Sequence, residues 1–358
     1  MGIDNFLVGI QQELKVRAYR PKPLRRVYIP KLDGGKRPLS IPTIKDRVVQ
    51  SALKLIIEPI FEADFIDCSY GFRPTRSGQQ AAIEIRKLLS FGYREVIETD
   101  IEDCFGSIPQ RDLLDMVAKR VVDGKILWLI KLFLKAGVMD SLDGWTFDKG
   151  IPQGGVISPL LANIYLNNID KGWKSLRCSA RLIRYADDLV IMAGHHSQEA
   201  MAKLEQIVTR LKLRLKHNKT RILNAECESF DFLGFTFTKA LKRGTKDKRV
   251  VYFYPSHKAE NTIRRRIRKI VDYRRPVKVE NIIEELTPVL RGWVNYFRIA
   301  NSTKKFGKIK FYTAQRIRKF MRRRGKRSGY GYKLYTDTYL YERLGLYNDY
   351  HVSWAKTF

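Results

Sequence analysis

The sequence predicts an α+β fold that is divided into two or three packed subdomains. Short apolar segments typical of strands alternate with segments of helical periodicity over the first 240 residues. Near residue 258 the composition shifts to basic and helical, so we place a domain boundary between about 240 and 258. A chain of 358 residues also exceeds one ordinary hydrophobic core, which favours more than one packed unit.

Amphipathic helices are predicted where apolar residues recur every three to four positions. The first of them is stopped by Pro21, because proline cannot continue a helix interior. The predicted helices cover 6–19, 44–62, 77–91, 110–136, 158–172 and 198–215.

Strands are predicted where alternating or short apolar runs are bounded by turn residues. Residues 27–41 have the pattern of a β-hairpin that turns at Asp33-Gly34-Gly35 and carries basic residues around its tip. A short strand over 96–101 becomes polar at its end, and a second hairpin is predicted over 181–193. A strand pair is expected near 219–237.

The charge balance points to a polyanionic partner. The chain has 68 Lys and Arg against 37 Asp and Glu, a formal net charge of +31. Residues 258–333 alone hold 24 basic and 5 acidic residues, with aromatic residues interleaved. A fold does not need such an excess, whereas nucleic acid binding does, so nucleic acid is the expected partner.

Other classes of protein receive no support from the sequence. The four cysteines lie far apart and lack the spacing of a zinc site. No apolar run approaches the roughly 20 residues that span a bilayer, and no secretory leader is recognisable. We therefore expect a cytoplasmic protein with no membrane partner, and the oligomeric state stays open.

Paired carboxylates carry the strongest chemical signal. Asp187 and Asp188 lie at a tight turn between two apolar strands, and Asp100 ends another apolar strand ahead of Glu102 and Asp103. An exposed Asp-Asp turn is the plain alternative. Adjacent carboxylates are costly to hold together unless a cation neutralises them. Two strands that each present aspartate at one end could place three carboxylates around a pair of divalent ions, which promote displacement at phosphorus.

Segments carrying these residues resemble the reverse transcriptases of bacterial group II introns. Seven segments follow one another in the order typical of that family, and a later one resembles its maturase region, the X or thumb domain. They are IPKLDGGKRPLSIPTIKDRVVQ (29–50), YGFRPTRSGQQAA (70–82), ETDIEDCFGSIP (98–109), GIPQGGVISPLLANIYLNNID (150–170), RYADDLVIMA (184–193), LKLRLKHNKTRI (211–222), FDFLGFTF (230–237) and finally PVLRGWVNYFRIANS (288–302).

The resemblance implies a right-hand polymerase with an antiparallel palm sheet. Fingers would cover 1–95 with part of 110–180, the palm 96–240, and a basic helical thumb 255–358. Only 20 residues precede Pro21, fewer than in most of the family, which would affect template grip and template switching. No Cys/His-rich or His-Asn-His nuclease pattern is recognisable, so DNA cutting is not expected.

The resemblance also implies the metal site. Asp100 and Asp187 would bind two Mg²⁺ ions, with Mn²⁺ as an alternative metal. Asp188 would complete the acidic trio, and the carbonyl of Ile101 would add a backbone ligand. All three aspartates would be catalytic.

Five residues are implied to bind the incoming nucleotide. Lys31 and Arg37 would hold its triphosphate, and Gln153 would lie against the template and the nucleotide. Phe105 would stack beneath the deoxyribose and leave no room for a 2′ hydroxyl, although an ordinary core aromatic is the alternative. Lys219 would approach the leaving pyrophosphate.

Further basic and aromatic residues are candidates for contact with nucleic acid. The alternatives are a helix N-terminal salt bridge for Arg47, a structural role for Arg73 and a solvated helix face for the arginine run at 322–324. The candidates are Arg47, Arg73, Trp293, Arg298, Arg322, Arg323 and Arg324.

The function expected from these residues is RNA-directed DNA synthesis by two-metal nucleotidyl transfer. Its partners would be an RNA template, a DNA or RNA primer, deoxynucleoside triphosphates and structured intron RNA. One rival is an RNA-binding splicing maturase with little polymerase activity, although an idle core would not need Asp100, Asp187, Lys31 and Arg37 together. The other is an RNA-dependent RNA polymerase, which Phe105 disfavours.

Overall fold

The computed structural model describes residues 2–30, 34–140, 144–146, 150–242, 244–325, 329 and 331–353. The chain divides into two compact units. The first comprises Met1–Ala81 and Glu95–Leu223, and the second comprises Ala82–Arg94 and Asn224–Phe358. No helix within the described ranges combines the length and the apolarity that crossing a membrane requires.

Helices and two sheets make up the region up to residue 224. One four-stranded sheet has the order β2-β1-β4-β5, and the other has the order β6-β7-β3-β8. A 3₁₀ turn covers His217–Lys219. The elements are α1 (Ile3–Lys15), β1 (Leu24–Pro30), β2 (Lys36–Ile41), α2 (Ile44–Glu62), α3 (Gly78–Ser90), β3 (Glu95–Asp100), α4 (Cys104–Ser107), α5 (Gln110–Ala118), α6 (Gly124–Lys135), β4 (Val138–Asp140), β5 (Gly144–Thr146), α7 (Ser158–Ser175), β6 (Arg181–Tyr185), β7 (Asp188–Ala193), α8 (Ser197–Arg210) and β8 (Arg221–Asn224).

Most of these elements confirm the sequence expectations. The hairpin of β1 and β2 pairs Ile29 with Arg37, and the helix predicted over 44–62 is α2 with those bounds. The continuous helix predicted over 110–136 is wrong. The structure breaks it into α5 and α6, because Asp123 accepts hydrogen bonds from Lys125 N and Ile126 N and so starts a second helix.

Helix α7 lies at the centre of the first unit. Most of its residues are buried, including the polar Asn163, Asn167 and Asp170. Around it pack apolar residues of α2, of β3 and of the segment that follows β3, all part of one hydrophobic core. A helix that is buried on nearly all sides gives the sheet of β6, β7 and β3 a rigid support.

The second unit combines a three-stranded sheet with long basic helices. Phe235 is fully buried there, and its ring packs edge-on against Phe297 with centroids 4.9 Å apart. The sheet therefore shares a core with the helices that follow it, and the longer of the two stretches of this unit begins at Asn224. A π-helical turn covers Tyr339–Arg343. The elements are β9 (Phe230–Phe232), β10 (Phe235–Leu241), β11 (Arg249–Pro255), α9 (His257–Ile270), α10 (Val279–Phe297) and α11 (Thr303–Arg324).

Candidate active site

Three aspartates meet at one end of the sheet formed by β6, β7, β3 and β8. Strand β3 ends at Asp100 and β7 begins at Asp188, and the antiparallel register places these two residues opposite each other. Asp187 lies in the turn before β7, where its carbonyl accepts a hydrogen bond from Ile101 N at 3.2 Å. Ile101 directly follows β3, and its N–H hydrogen bond places its backbone beside this turn.

The Asp100 carboxylate is mostly buried, and its two oxygens differ. Oδ2 accepts a hydrogen bond from Lys219 Nζ at 2.6 Å. Oδ1 is buried without a hydrogen-bond partner among the described residues. The hydrogen bond to Asp100 raises the pKa of Lys219, whose side chain stays more than half exposed. The site therefore holds one carboxylate oxygen that is both desolvated and unpaired, a costly state without a ligand.

Burial, followed by the nearby charge of Asp100, raises the pKa of the Asp187 carboxyl. A backbone hydrogen bond and the charges of Arg37 and Lys219 act in the opposite direction but do not outweigh burial and repulsion. Protein cations therefore neutralise this carboxylate only in part. A bound divalent cation would remove the repulsion between Asp187 and Asp100.

These donors fit a pair of small divalent ions. No three His, Cys, Asp or Glu side chains in the described part of the chain form a ready-made metal cage. Mg²⁺ does not need one, since it commonly takes one or two carboxylates and completes its shell with water and phosphate oxygens. Asp100, Asp187 and the Ile101 carbonyl would supply hard oxygen ligands of that kind, and Asp100 Oδ1 has no hydrogen-bond partner among the described residues.

A cleft of about 260 Å³ opens beside the aspartates. Arg37, from β2, and Gln153 meet in it, with 3.4 Å between Nε and Oε1. The backbone of Gln153 is held by Ser40 N, which donates to its carbonyl at 2.6 Å. The cleft is lined by Arg37, Leu39, Phe72, Phe105, Gln153, Gly154, Pro159, Tyr185, Ala186, Asp187 and Asp188.

Glycine is required next to Gln153. Gly154 has φ of +118°, and a Cβ at this position would lie 2.5 Å from the Ser40 carbonyl oxygen. A side chain there would be strained and would push the hairpin of β1 and β2 away from the cleft. Lys31, which we expect on the same hairpin, lies outside the described residues.

Phe105 is both a core residue and part of the cleft wall, a position compatible with either of the roles considered for it. The residue lies in the short helix α4 and is 9% exposed, with its side chain in the hydrophobic core of the first unit. The same side chain forms part of the cleft wall. Its backbone carbonyl accepts a hydrogen bond from Ile151 N at 2.7 Å, which ties α4 to the segment that carries Gln153.

Two arginines of the first unit were candidates for nucleic-acid contact, and their surroundings differ. Arg47 is exposed and makes no side-chain ion pair with the described residues, so the salt-bridge alternative gains no support. Arg73 is buried, pairs with Glu62 at 2.6 Å and donates to the carbonyls of Ile66 and Ser69. Its donors are occupied within the protein, which favours the structural role over template contact.

The candidates in the second unit also have partners within it. Trp293 packs against Phe297 and Phe306, although its Nε1 is buried without a hydrogen-bond partner among the described residues. Arg298 pairs with Asp349 at 2.8 Å.

The arginine run at the end of α11 is similarly engaged. Arg323 lies over the ring of Tyr273 at 4.5 Å, and Arg324 bonds to the Val277 carbonyl. Both arginines remain exposed, so phosphate contact stays compatible with their positions.

Sequence reasoning missed a buried polar network beside the turn that carries Asp187. Arg184 is 0% exposed and forms a bidentate pair with Asp170 of α7. Burial alone would lower the pKa of this guanidinium, but the charge and hydrogen bonds of Asp170 raise it on balance. An arginine that follows the apolar pair Leu182-Ile183 in β6 was the available signal.

Comparisons with known proteins match the chain to two families. Residues 29–237 match the reverse transcriptase (RNA-dependent DNA polymerase) family, and residues 261–338 match the maturase-specific domain of group II introns. The chain is similar to protein YkfC of Escherichia coli, at 35% identity over 70% of this chain and 76% of that protein. It is also similar to the group II intron-encoded protein LtrA of Lactococcus lactis, at 45% identity over 45% of this chain and 27% of LtrA.

A solved structure supports the fold. Telomerase from Candida albicans, determined with a fragment of telomeric RNA, aligns over 96% of this chain and 68% of its own with a TM-score of 0.52. The two sequences are 12% identical, so the likeness concerns the fold alone. Together with the mixed helices and antiparallel strands, it agrees with the predicted right-hand polymerase class.

Proposed function

This chain belongs to the reverse transcriptase family, of the type encoded by group II introns, and we propose that it polymerises DNA on an RNA template. The observation that carries the proposal is the cleft in which Asp187 and Asp188 face Arg37, Phe105 and Gln153. Acidic residues on one wall and a basic residue on the other suit a nucleoside triphosphate whose phosphates are shared between metal ions and arginine.

Each side chain of the cleft has a task in this reaction. The Arg37 guanidinium would bind the triphosphate through paired hydrogen bonds. Gln153 would lie against the nucleotide and restrict the position of its base and sugar. Phe105 would lie beneath the sugar and exclude a 2′ hydroxyl by its bulk. Lys219, hydrogen-bonded to Asp100 and largely exposed, would move toward the pyrophosphate once a metal ion occupies the carboxylate.

Divalent ions would be held by Asp100, Asp187 and the Ile101 carbonyl, with Asp188 nearby. Members of this family use divalent metal ions, and we propose two Mg²⁺, with Mn²⁺ as a substitute. Such ions activate the primer 3′ hydroxyl and neutralise charge on the leaving pyrophosphate. The chain contributes their ligands and a site in which primer and nucleotide are held in line.

A second activity is compatible with the first. Residues 261–338 match the maturase-specific domain, and this stretch overlaps the strongly basic region 258–333 over most of its length. We propose that the second unit also binds structured intron RNA, so that polymerisation and support of intron folding coexist in one protein.

Primer extension tests the polymerase proposal. The purified chain is given an RNA template, a labelled DNA primer, Mg²⁺ and either deoxynucleotides or ribonucleotides. We expect extension with deoxynucleotides, none after EDTA, and poor use of ribonucleotides. Equal use of both nucleotides would favour the RNA polymerase rival. RNA binding without any extension, in Mg²⁺ or Mn²⁺, would favour the maturase with an idle core.

A further inference from the structure

The turn that carries Asp187 rests on one buried guanidinium. Arg184 Nη1 donates to the Ala186 carbonyl at 3.1 Å and to Asn163 Oδ1 at 3.0 Å. Nε and Nη2 donate to the two Asp170 oxygens at 2.8 and 2.6 Å, and Nη2 also reaches Ser69 Oγ at 2.7 Å. A single planar fork therefore connects the turn to α7 and to the segment around residue 69.

Stability alone does not explain this arrangement. Arg184 and Asp170 are both fully buried, and the desolvation of two charges commonly offsets what their attraction contributes. Well-packed apolar residues often replace such pairs without loss of stability. What apolar residues cannot supply is a hydrogen-bond donor directed at the Ala186 carbonyl. A polar group held that firmly can fix the position of the backbone it touches.

A second segment of the chain, residues 68–72, also contacts this turn. It pairs with β6, because Arg184 N donates to the Cys68 carbonyl and Tyr70 N donates to the Arg184 carbonyl, both at 2.8 Å. This segment ends at the turn, where a Cβ on Gly71 would lie 2.4 Å from Ala186 N. Asn163 Nδ2 donates to the Gly71 carbonyl at 2.8 Å, so the network holds the segment as well as the turn.

The backbone that these contacts hold is an unfavourable one. Ala186 has φ of 57°, a left-handed conformation that residues with a Cβ seldom adopt. Its neighbours on either side are Tyr185, which lines the cleft, and Asp187. A small rotation at Ala186 would therefore change where the Asp187 carboxylate lies relative to Asp100.

We propose that Arg184 and Gly71 are positioning residues for the catalytic turn. Arg184 holds the Ala186 carbonyl from within the core, and Gly71 permits the backbone of segment 68–72 to close against Ala186 N. Together they set the separation of the Asp187 and Asp100 carboxylates. The proposal rests on the polymerase function proposed above, because that function gives the separation its consequence.

Gly71→Ala tests the contact without changing any charge. The added methyl group must displace the turn, because its neighbours are backbone atoms. Gly194→Ala is the matched control: it is the same substitution next to β7, where a Cβ meets nothing within 4 Å. Arg184→Lys is the second variant, because it keeps the charge beside Asp170 but loses the fork. Primer extension is measured across a Mg²⁺ titration, and Mn²⁺ binding to the protein alone is measured by electron paramagnetic resonance.

Gly71→Ala and Arg184→Lys should each lower kcat by about 10–100-fold. Each should also raise the Mg²⁺ concentration that gives half-maximal activity, and lower the affinity for Mn²⁺, by severalfold. Gly194→Ala should match the wild type. If a variant merely destabilised the fold, fewer molecules would be active, but the metal dependence of the remainder would not move. Unchanged metal dependence in both variants would overturn the proposal. A wild type that extends no primer would refute the proposed function, while Mn²⁺ affinity would still decide the positioning role.

Discussion

At the scale of single residues, the site depends on carboxylates whose charge the protein leaves partly uncompensated. Asp187 has a raised pKa because of burial and the neighbouring Asp100, and Asp100 Oδ1 is buried without a partner among the described residues. Natural proteins tolerate such costs where function requires them. A bound divalent cation would offset this cost.

Phe105 should govern the choice of sugar. Phe105→Val removes the ring from the cleft wall, so a 2′ hydroxyl gains room and use of ribonucleotides relative to deoxynucleotides should rise by about tenfold or more. Phe61→Val is the matched control, since Phe61 is buried in the same core but does not line the cleft. Single-nucleotide incorporation assays measure the ratio. An equal ratio in wild type and Phe105→Val would leave Phe105 with its core role alone.

Residue roles were predictable from the sequence to different degrees. Asp100 and Asp187 stand out because acidic residues at the ends of apolar strands are a local signal. Arg184 gives only a weak signal, since its partners Ser69, Asn163 and Asp170 are spread over about a hundred residues and meet only after folding. For Arg73, burial favours the structural role over template contact, two roles that the sequence leaves equal.

At the scale of elements, local patterns set most of the helices and strands, and long-range packing sets their groupings. The helix predicted over 110–136 fails at Asp123, a capping residue whose effect outweighs the apolar periodicity around it. The hairpin of β10 and β11 extends beyond the strand pair expected near 219–237. Its strands join the second unit because their phenylalanines pack with α10, which no local pattern reveals.

Glu260 should stabilise the helices of the second unit. This buried carboxylate of α9 accepts hydrogen bonds from Lys305 of α11 at 2.7 Å and from Arg264 at 3.0 Å. Although burial acts to raise the pKa of Glu260, the hydrogen bonds and charges of Lys305 and Arg264 lower it overall. A lowered carboxyl pKa means that the stability is present above the unfolded pKa and is lost as the pH falls through the folded value.

Glu260→Gln should therefore lower stability at pH 7 by about 1–3 kcal/mol, because it removes charge-assisted hydrogen bonds. The difference from wild type should shrink as the pH falls below about 4. Denaturant unfolding at several pH values measures it. Glu284→Gln, an exposed position on α10 with the same change of charge, serves as the control. If Glu260→Gln lowered the free energy of unfolding by the same amount at pH 7 and at acidic pH, the ion-pair explanation would be contradicted.

At the scale of the whole molecule, the excess of 31 positive charges makes nucleic acid the expected partner. Replacing Arg322, Arg323 and Arg324 with Ala should weaken binding to unrelated RNA sequences and flatten the salt dependence. Each phosphate contact on a single strand contributes roughly 0.7 to the magnitude of the slope of log affinity against log salt. Loss of three such contacts should therefore reduce that magnitude by up to about 2. If these arginines only form a solvated helix face, the plots of log affinity against log salt for the wild type and the triple variant should be parallel.

A matched triple variant separates local contact from net charge. Lys171, Lys174 and Arg177 are exposed and lie in or just after α7 of the first unit, and their replacement with Ala removes the same three charges. RNA affinity at several salt concentrations is measured for both variants. Equal slope changes in the two would mean that the arginine run of α11 acts through net charge and not through its own phosphate contacts.

The central claim is that the acidic site of the first unit carries out metal-dependent DNA synthesis on RNA. Asp187→Asn tests it most directly, because the amide nearly preserves the shape of the side chain and removes its charge. Primer extension on an RNA template in Mg²⁺ should fall at least about 100-fold, while RNA affinity should stay close to that of the wild type. Extension at the wild-type rate by Asp187→Asn would contradict the claim.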